Sequence, residues 1–217
     1  MRTTLPPVII FGTSGHAKVC LDILQLQQFR IAGFIARDRS DVEKEINGIT
    51  IIGCDEDEDF FDQIQEGKLA YFVAIGENER RASLTEKIVA TTGRHPINAI
   101  HPDARISRFA KLGTGNFINC GVKINADAII GNYAIINTSA TVDHDCVISD
   151  YVQVSPGCNI GGNVTLDRSV FLGLGTVVLP KMTIGGGTVI GAGAVVTKHV
   201  PERVVAVGCP ARIIKNL

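Results

Sequence analysis

Residues 118–148 read INCGVKINADAIIGNYAIINTSATVDHDCVI, and every sixth position, Ile118, Ile124, Ile130, Ile136, Val142 and Ile148, is aliphatic. The register continues unbroken in both directions: from Ile100 to Val196 each sixth residue is Ile, Leu or Val. Chance placement in an aliphatic-rich chain does not sustain so long a run, so the period is structural. Glycine follows the aliphatic residue at Gly113, Gly131, Gly161, Gly173, Gly185 and Gly191, and the fifth position takes small or β-branched residues such as Ala128, Ala134 and Val164. Each hexad thus supplies one inward aliphatic, one compact corner and one small neighbour. Three hexads close an 18-residue coil with three flat faces. Stacked coils bury the aliphatic columns while their backbones pair about 4.8 Å apart. The pattern predicts an all-β left-handed parallel β-helix over residues 97–217.

Upstream the period changes to alternating strands and helices. Val8–Phe11 is a short apolar run, Gly12-Thr13-Ser14-Gly15-His16 a tight loop, and residues 17–28 a helical stretch with Val19 and Ile23 on one side. Residues 31–35 read as a second strand, 45–52 as a hairpin around Asn47-Gly48, 60–65 as a short helix, 71–75 as a third strand and 79–91 as a helix. An α/β, Rossmann-like domain over residues 1–96 follows. A glycine loop between strand and helix aims backbone N–H groups and the positive helix end at one point. It suits either a phosphate or simply a tight turn. In the first case Ser14, Gly15 and His16 hold the diphosphate, with Gly76 opposite them at the end of the third strand.

The composition agrees with a folded chain: 217 residues, 45% hydrophobic, without the low hydrophobicity of a disordered one. Lys and Arg number 21 against 22 Asp and Glu, so no global basic field exists to attract nucleic acid or an anionic membrane. The apolar run near Arg2 is too short for a signal-peptide core, and no stretch reaches a bilayer span, so a cytoplasmic protein is expected. The six cysteines form no CxxC or Cys/His cluster, and neither a metal site nor a disulfide framework is expected.

Of five histidines, His144 stands out. It follows the inward Val142 by two residues, at a corner, between Asp143 and Asp145. A neutral imidazole accepts a proton from an attacking amine or hydroxyl, and a carboxylate on its other nitrogen fixes the tautomer. Either carboxylate reaches the ring only where the backbone turns. The coil length sets Gly162 beside His144, where its N–H suits a developing oxyanion, and stacks Pro156, Leu174 and Ala192 in one column. A polar surface histidine would fit the same spacing.

The hexad register, NTSATVDHDCVI (137–148) and VAVGCPARII (205–214) resemble the left-handed β-helix acyltransferases. With VIIFGTSGHAKV (8–19) and FVAIGENERR (72–81), the chain is similar throughout to the nucleotide-sugar N-acetyltransferases of the bacillosamine and perosamine pathways, relatives of sialic acid O-acetyltransferases. The resemblance implies a homotrimer that uses acetyl-CoA and an amino nucleotide sugar. It gives His144 the role of general base and Asp145 that of its orienting acid. Ser14, Gly15, His16 and Gly76 become nucleotide contacts, and Leu174 and Ala192 the CoA wall. Gln153 stands where relatives often carry a second histidine near the acetyl group, and its amide still donates a hydrogen bond there. Arg37 and Asp38 close the second strand where relatives often have paired aspartates on the nucleotide base, which makes both candidate substrate contacts.

The function expected is acetyl-CoA-dependent N-acetylation of the 4-amino group of a UDP-linked 4-amino-4,6-dideoxy sugar in surface-glycan synthesis. GDP-perosamine and, by O-acetylation, sialic acid are the alternative acceptors. A non-enzymatic nucleotide-sugar-binding scaffold is the alternative of another class.

Overall fold

The computed structural model describes residues 5–217, which leaves Arg2 outside the described residues. In the N-terminal unit β1 (Val8–Phe11) is buried at every position, the mark of a central parallel strand covered on both faces. It pairs in parallel with β2 (Ile31–Ala36) on one side and, on the other, with the last strand of the unit, Ala70–Val73. A hairpin of β3 (Glu45–Ile46) and β4 (Ile49–Cys54) continues the sheet, with β4 parallel to β2. Both turn residues, Asn47 (φ 49°) and Gly48 (φ 76°), are left-handed, as a two-residue hairpin turn requires. With Ala70–Val73 as β5, the sheet order is β3-β4-β2-β1-β5. The chain therefore reverses its direction of travel across the sheet between β1 and β5, the place where open α/β sheets bind ligands.

Helix α1 (Gly15–Leu26) begins two residues before its expected start, because Ser14 is already in the extended conformation of a capping residue, and Gln28 (φ 64°) follows its end. Helix α2 (Glu58–Gln65) starts earlier than expected, with Glu58 and Asp59 in its first turn, where carboxylates favour the helix dipole. Helix α3 spans Asn78–Thr92 and stops at the left-handed Gly93. Phe61 and Ile64 of α2 and Leu84 and Ile88 of α3 bury against Ile9, Phe11, Ile35 and Val73 of the sheet.

The chain divides into two compact units, Met1–Pro102 and Asp103–Leu217. The two-residue strand Ala99–Ile100 falls in the first of them. The Ile100 N–H donates to the Gln27 side chain at 3.0 Å.

In the C-terminal unit each hexad makes a two-residue strand, and each residue pairs with the one 18 positions later, as Lys123 with Thr141 and Ile124 with Val142. One face carries Lys123–Ile124, Thr141–Val142, Asn159–Ile160 and Val177–Val178. A second carries Ile129–Ile130, Val147–Ile148 and Thr165–Leu166, and a third Ile135–Ile136, Gln153–Val154 and Phe171–Leu172. The aliphatic columns are buried as the period requires; Ile136, Ile148, Val154, Leu166 and Leu172 are fully enclosed. Polar side chains also ladder between coils: Asn119 donates to Asn137 and Asn125 to Asp143, each pair 18 residues apart. Val204–Val207 and the antiparallel Arg212–Asn216 complete the unit. Among the described residues no helix is long and apolar enough to cross a membrane.

Candidate active site

The corner after Thr141–Val142 carries His144 between its two aspartates. Asp145 has φ 57°, and Asp127 and Asn163, one coil below and above, share this left-handed conformation, which Asp and Asn adopt more readily than most residues. The corner is pinned by backbone bonds from Asp145 N–H to the Ala126 carbonyl (3.2 Å) and from Asn163 N–H to the His144 carbonyl (2.9 Å). The left-handed step swings the Asp145 carboxylate back beside the imidazole. His144 Nδ1 lies 2.7 Å from Asp145 Oδ2. Asp143 does something else: its Oδ1 accepts from the His144 backbone N–H at 2.8 Å and from Asn125 Nδ2 at 2.7 Å. The two carboxylates left open by the sequence thus divide the work, Asp145 on the ring and Asp143 on the backbone of the turn.

With Nδ1–H directed at a carboxylate, Nε2 is left as the proton acceptor. The hydrogen bond to Asp145, aided by the charge of Asp143, holds the His144 pKa above its ordinary 6.5. Asp143 is held below the usual carboxylate value by the Asn125 side chain and the His144 N–H. The ring stacks against Gly162, where a Cβ would stand 2.7 Å from Nε2 and 2.8 Å from Cε1. Only glycine permits that approach. The side chains of His144 and Asp145 are 55% and 53% exposed, so the imidazole is open to solvent.

Leu174 and Ala192 share a column, as expected, but it is not the His144 column. Each follows an inward residue of the third face, Leu172 and Ile190, whereas His144 follows Val142 of the first face. Leu174 is 61% exposed. Gln153 opens a strand of the third face, between Ile135 and Phe171, and its Oε1 is buried with no hydrogen-bond partner.

In the N-terminal unit, Gly12 (φ 115°) lets the loop after β1 cross the segment after β5; a Cβ there would meet the Ala74 carbonyl oxygen at 2.7 Å. Ser14 makes no side-chain capping bond; its backbone carbonyl accepts from the Ala17 N–H at 3.0 Å as α1 begins. Arg81 is a residue that the sequence reading did not single out. It is 2% exposed, and its guanidinium donates to the carbonyls of Ile75 (3.1 Å) and Gly76 (2.9 Å) and to Asn78 Oδ1 (2.8 Å). Its signal was available: Arg81, Leu84, Thr85 and Ile88 form the buried stripe of α3. Burial, reinforced by the Arg81 charge, depresses the His16 pKa to about 4, so this imidazole is neutral at pH 7. His16, at the start of α1, thus feels the charge of the guanidinium that holds the Gly76 carbonyl, near the reversal between β1 and β5. Arg37 is exposed just beyond β2, while Asp38 accepts from Ser40 N–H at 2.9 Å and caps the turn that follows.

Residues 7–88 match the PglD N-terminal domain family. No curated sequence matches the chain. Among solved structures, the chain is similar to a histidine-to-alanine variant of GDP-perosamine N-acetyltransferase from Caulobacter crescentus in complex with CoA and GDP-perosamine. Identity is 37% over 98% of each chain, with a TM-score of 0.90. The acetyltransferase domain of PglB from Neisseria gonorrhoeae, in complex with acetyl coenzyme A, is 28% identical over 96% of this chain and 100% of that one, with a TM-score of 0.87. WeeI from Acinetobacter baumannii is 27% identical over 96% and 99%, with a TM-score of 0.83. On the full-length likeness at 37% identity, together with the match of the N-terminal unit, the chain belongs to the hexapeptide-repeat nucleotide-sugar N-acetyltransferases.

Proposed function

We propose that this protein transfers the acetyl group of acetyl-CoA to the 4-amino group of a nucleotide-linked 4-amino-4,6-dideoxy sugar. The observation that carries the reading is the solvent-facing His144, tied to Asp145 on one nitrogen and seated on Gly162 by the other edge of its ring. The neutral amine attacks the thioester carbonyl while Nε2 takes its proton, and the Gly162 N–H stabilises the resulting oxyanion. Collapse breaks the C–S bond, and the imidazolium returns the proton to the departing thiolate. The products are an N-acetyl sugar and free CoA, with Asp145 keeping the charged ring in place meanwhile. Acetyl-CoA is a co-substrate here, contacted by Gln153, Leu174 and Ala192. Ser14, Gly15, His16 and Gly76 hold the diphosphate, and Arg37 and Asp38 lie towards the nucleotide base.

A cytoplasmic homotrimer belongs to the same proposal. Its support is an apolar pair on one prism face: Ile129 and Val147 are paired in register and 44% and 39% exposed, an arrangement that suits burial against another copy with C₃ closure.

The test is thiol release from acetyl-CoA with UDP-, GDP- and dTDP-linked 4-amino sugars and with sialic acid, for the wild type and His144→Ala. Release with one amino sugar, reduced at least about a hundredfold in the variant, is expected. Binding of nucleotide sugar and acetyl-CoA without turnover on any acceptor would instead favour a scaffold.

A further inference from the structure

Asn125 stands one full coil below Asp143, and the two side chains meet: Asn125 Nδ2 donates to Asp143 Oδ1 at 2.7 Å. That same oxygen accepts from the His144 backbone N–H at 2.8 Å. One carboxylate oxygen thus joins the coil below to the peptide that carries the imidazole. The coil pairing fixes both ends of this contact. Asn125 follows Ile124, which pairs in register with Val142, and its own N–H donates to the Val142 carbonyl at 2.9 Å. The Asp143 N–H donates in turn to the Ile160 carbonyl at 3.0 Å. Neither residue can shift along the prism without breaking a backbone bond between coils.

The contact has a definite chemical direction. An amide nitrogen only donates and an ionised carboxylate only accepts, so Asn125 favours the charged form of Asp143 and fixes where that charge sits. Asp143 is held below the usual carboxylate range, first by the Asn125 side chain and then by the His144 N–H. His144 is raised first by its bond to Asp145 and then by the charge of Asp143. Two more charged groups belong to the coil below: Lys123, in register with Thr141, and Asp127, in the left-handed position one coil below Asp145. Both are exposed, and Arg105 pairs with Lys123 from a further coil down. Within the corner itself, the Cys146 thiol donates to the Gly161 carbonyl at 3.1 Å. The stretch of the coil above, residues 159–164, carries no titratable side chain. Asn125 is itself exposed, so replacing it removes no core packing.

We propose that Asn125 is a positioning residue for the base: by anchoring Asp143 it fixes a negative charge beside His144 and so tunes the proton transfer. It acts through Asp143, and the kinetic part of its test rests on the acetyltransferase reading above.

The experiment is NMR titration of the His144 ring in the full-length protein, for the wild type, Asn125→Ala and Asn125→Asp, with His144→Ala to assign the resonance. Circular dichroism and Tm establish that each variant is folded. Asn125→Ala frees the Asp143 carboxylate to leave the turn, so the ring should titrate about 0.3 pH unit lower. Asn125→Asp sets a second carboxylate against the first, so the ring should titrate about half a pH unit higher. Opposite shifts in two folded variants are the expected result, and a purely structural rung would not produce them. Shifts in the same direction, or an unmoved titration with only Tm lowered, would overturn the proposal. In thiol release the pH midpoint of kcat/KM should follow the same two displacements. Opposite ring shifts in a protein that acetylates no acceptor would remove the acetyltransferase reading and keep the positioning role. Transfer with the wild-type pH profile in both variants would do the reverse.

Discussion

The imidazole of His144 meets Asp145 at 2.7 Å across a peptide link that would direct adjacent side chains apart in a straight strand. The left-handed φ of Asp145 is what brings them together. Because the hydrogen bond to Asp145 and the charge of Asp143 raise the His144 pKa, the free base forms only as pH climbs past a value above 6.5. The kcat/KM of the proposed reaction should therefore rise with pH through and beyond the neutral range, then level. Asp145→Asn removes the largest cause of the raised pKa, so the rise should move to lower pH while the plateau falls about tenfold to a hundredfold through lost ring orientation. A pH–rate series on both proteins checks this, and superimposable profiles would strip Asp145 of the role.

Gly162→Ala separates site geometry from stability. Its φ is outside the left-handed region, so alanine is tolerated by the backbone, but the new Cβ would occupy space 2.7 Å from His144 Nε2. The ring has to swing outward, which breaks its bond to Asp145. Turnover should fall at least about tenfold, while Tm shifts by no more than a few degrees because the ring is exposed and its displacement buries nothing. Comparable kcat in the two proteins would show that the ring position does not matter to the chemistry.

The β-helix was legible because its information is local: one aliphatic every six residues sets the inward column, and multiples of 18 set the neighbours, so Gly162 beside His144 and Asn125 beside Asp143 follow by addition. The same arithmetic separates Leu174 from His144, since thirty residues is not a whole number of coils. The N-terminal unit was legible only in part. Gly12, Ser14 and Gly76 advertise turns, whereas Arg81 is marked only by its spacing with Leu84 and Ile88 on an otherwise polar helix. Its burial is decided by the carbonyls of Ile75 and Gly76, which need donors once the sheet end is covered. Which carboxylate serves the ring likewise depends on a dihedral angle, at a residue that sequence alone does not mark.

Arg81→Met tests that buried guanidinium. The substitution keeps much of the volume but leaves the Ile75 and Gly76 carbonyls and Asn78 Oδ1 without the bonds Arg81 donates. A loss of about 2–4 kcal/mol from the N-terminal unit is expected. If the protein stays folded in the cold, KM for the nucleotide sugar should rise more than kcat falls, because the proposed function gives the Gly76 segment a part in binding and none in proton transfer. A selective fall in kcat, with KM unchanged, would contradict this placement.

The neutral His16 gives the N-terminal unit a pH dependence of definite sign. Burial, and then the Arg81 charge, lower its pKa from 6.5 to about 4. Between those two values the unfolded chain binds a proton that the folded chain refuses, so stability rises with pH across the window. The contribution is complete above the unfolded value of 6.5 and declines as pH falls, by about 2 kcal/mol at pH 5 and about 3 kcal/mol once the folded pKa is passed. Amide exchange of Ile9 and Tyr71, buried in β1 and β5, reports this unit separately from the β-helix. Protection there should weaken from pH 7.5 to pH 5 after correction for intrinsic rates, and His16→Gln should remove about 2 kcal/mol of that slope. The carboxylates remain common to both proteins, so the difference isolates the imidazole. An identical slope in the variant would mean that His16 already carries its proton in the folded state, contrary to its burial beside Arg81.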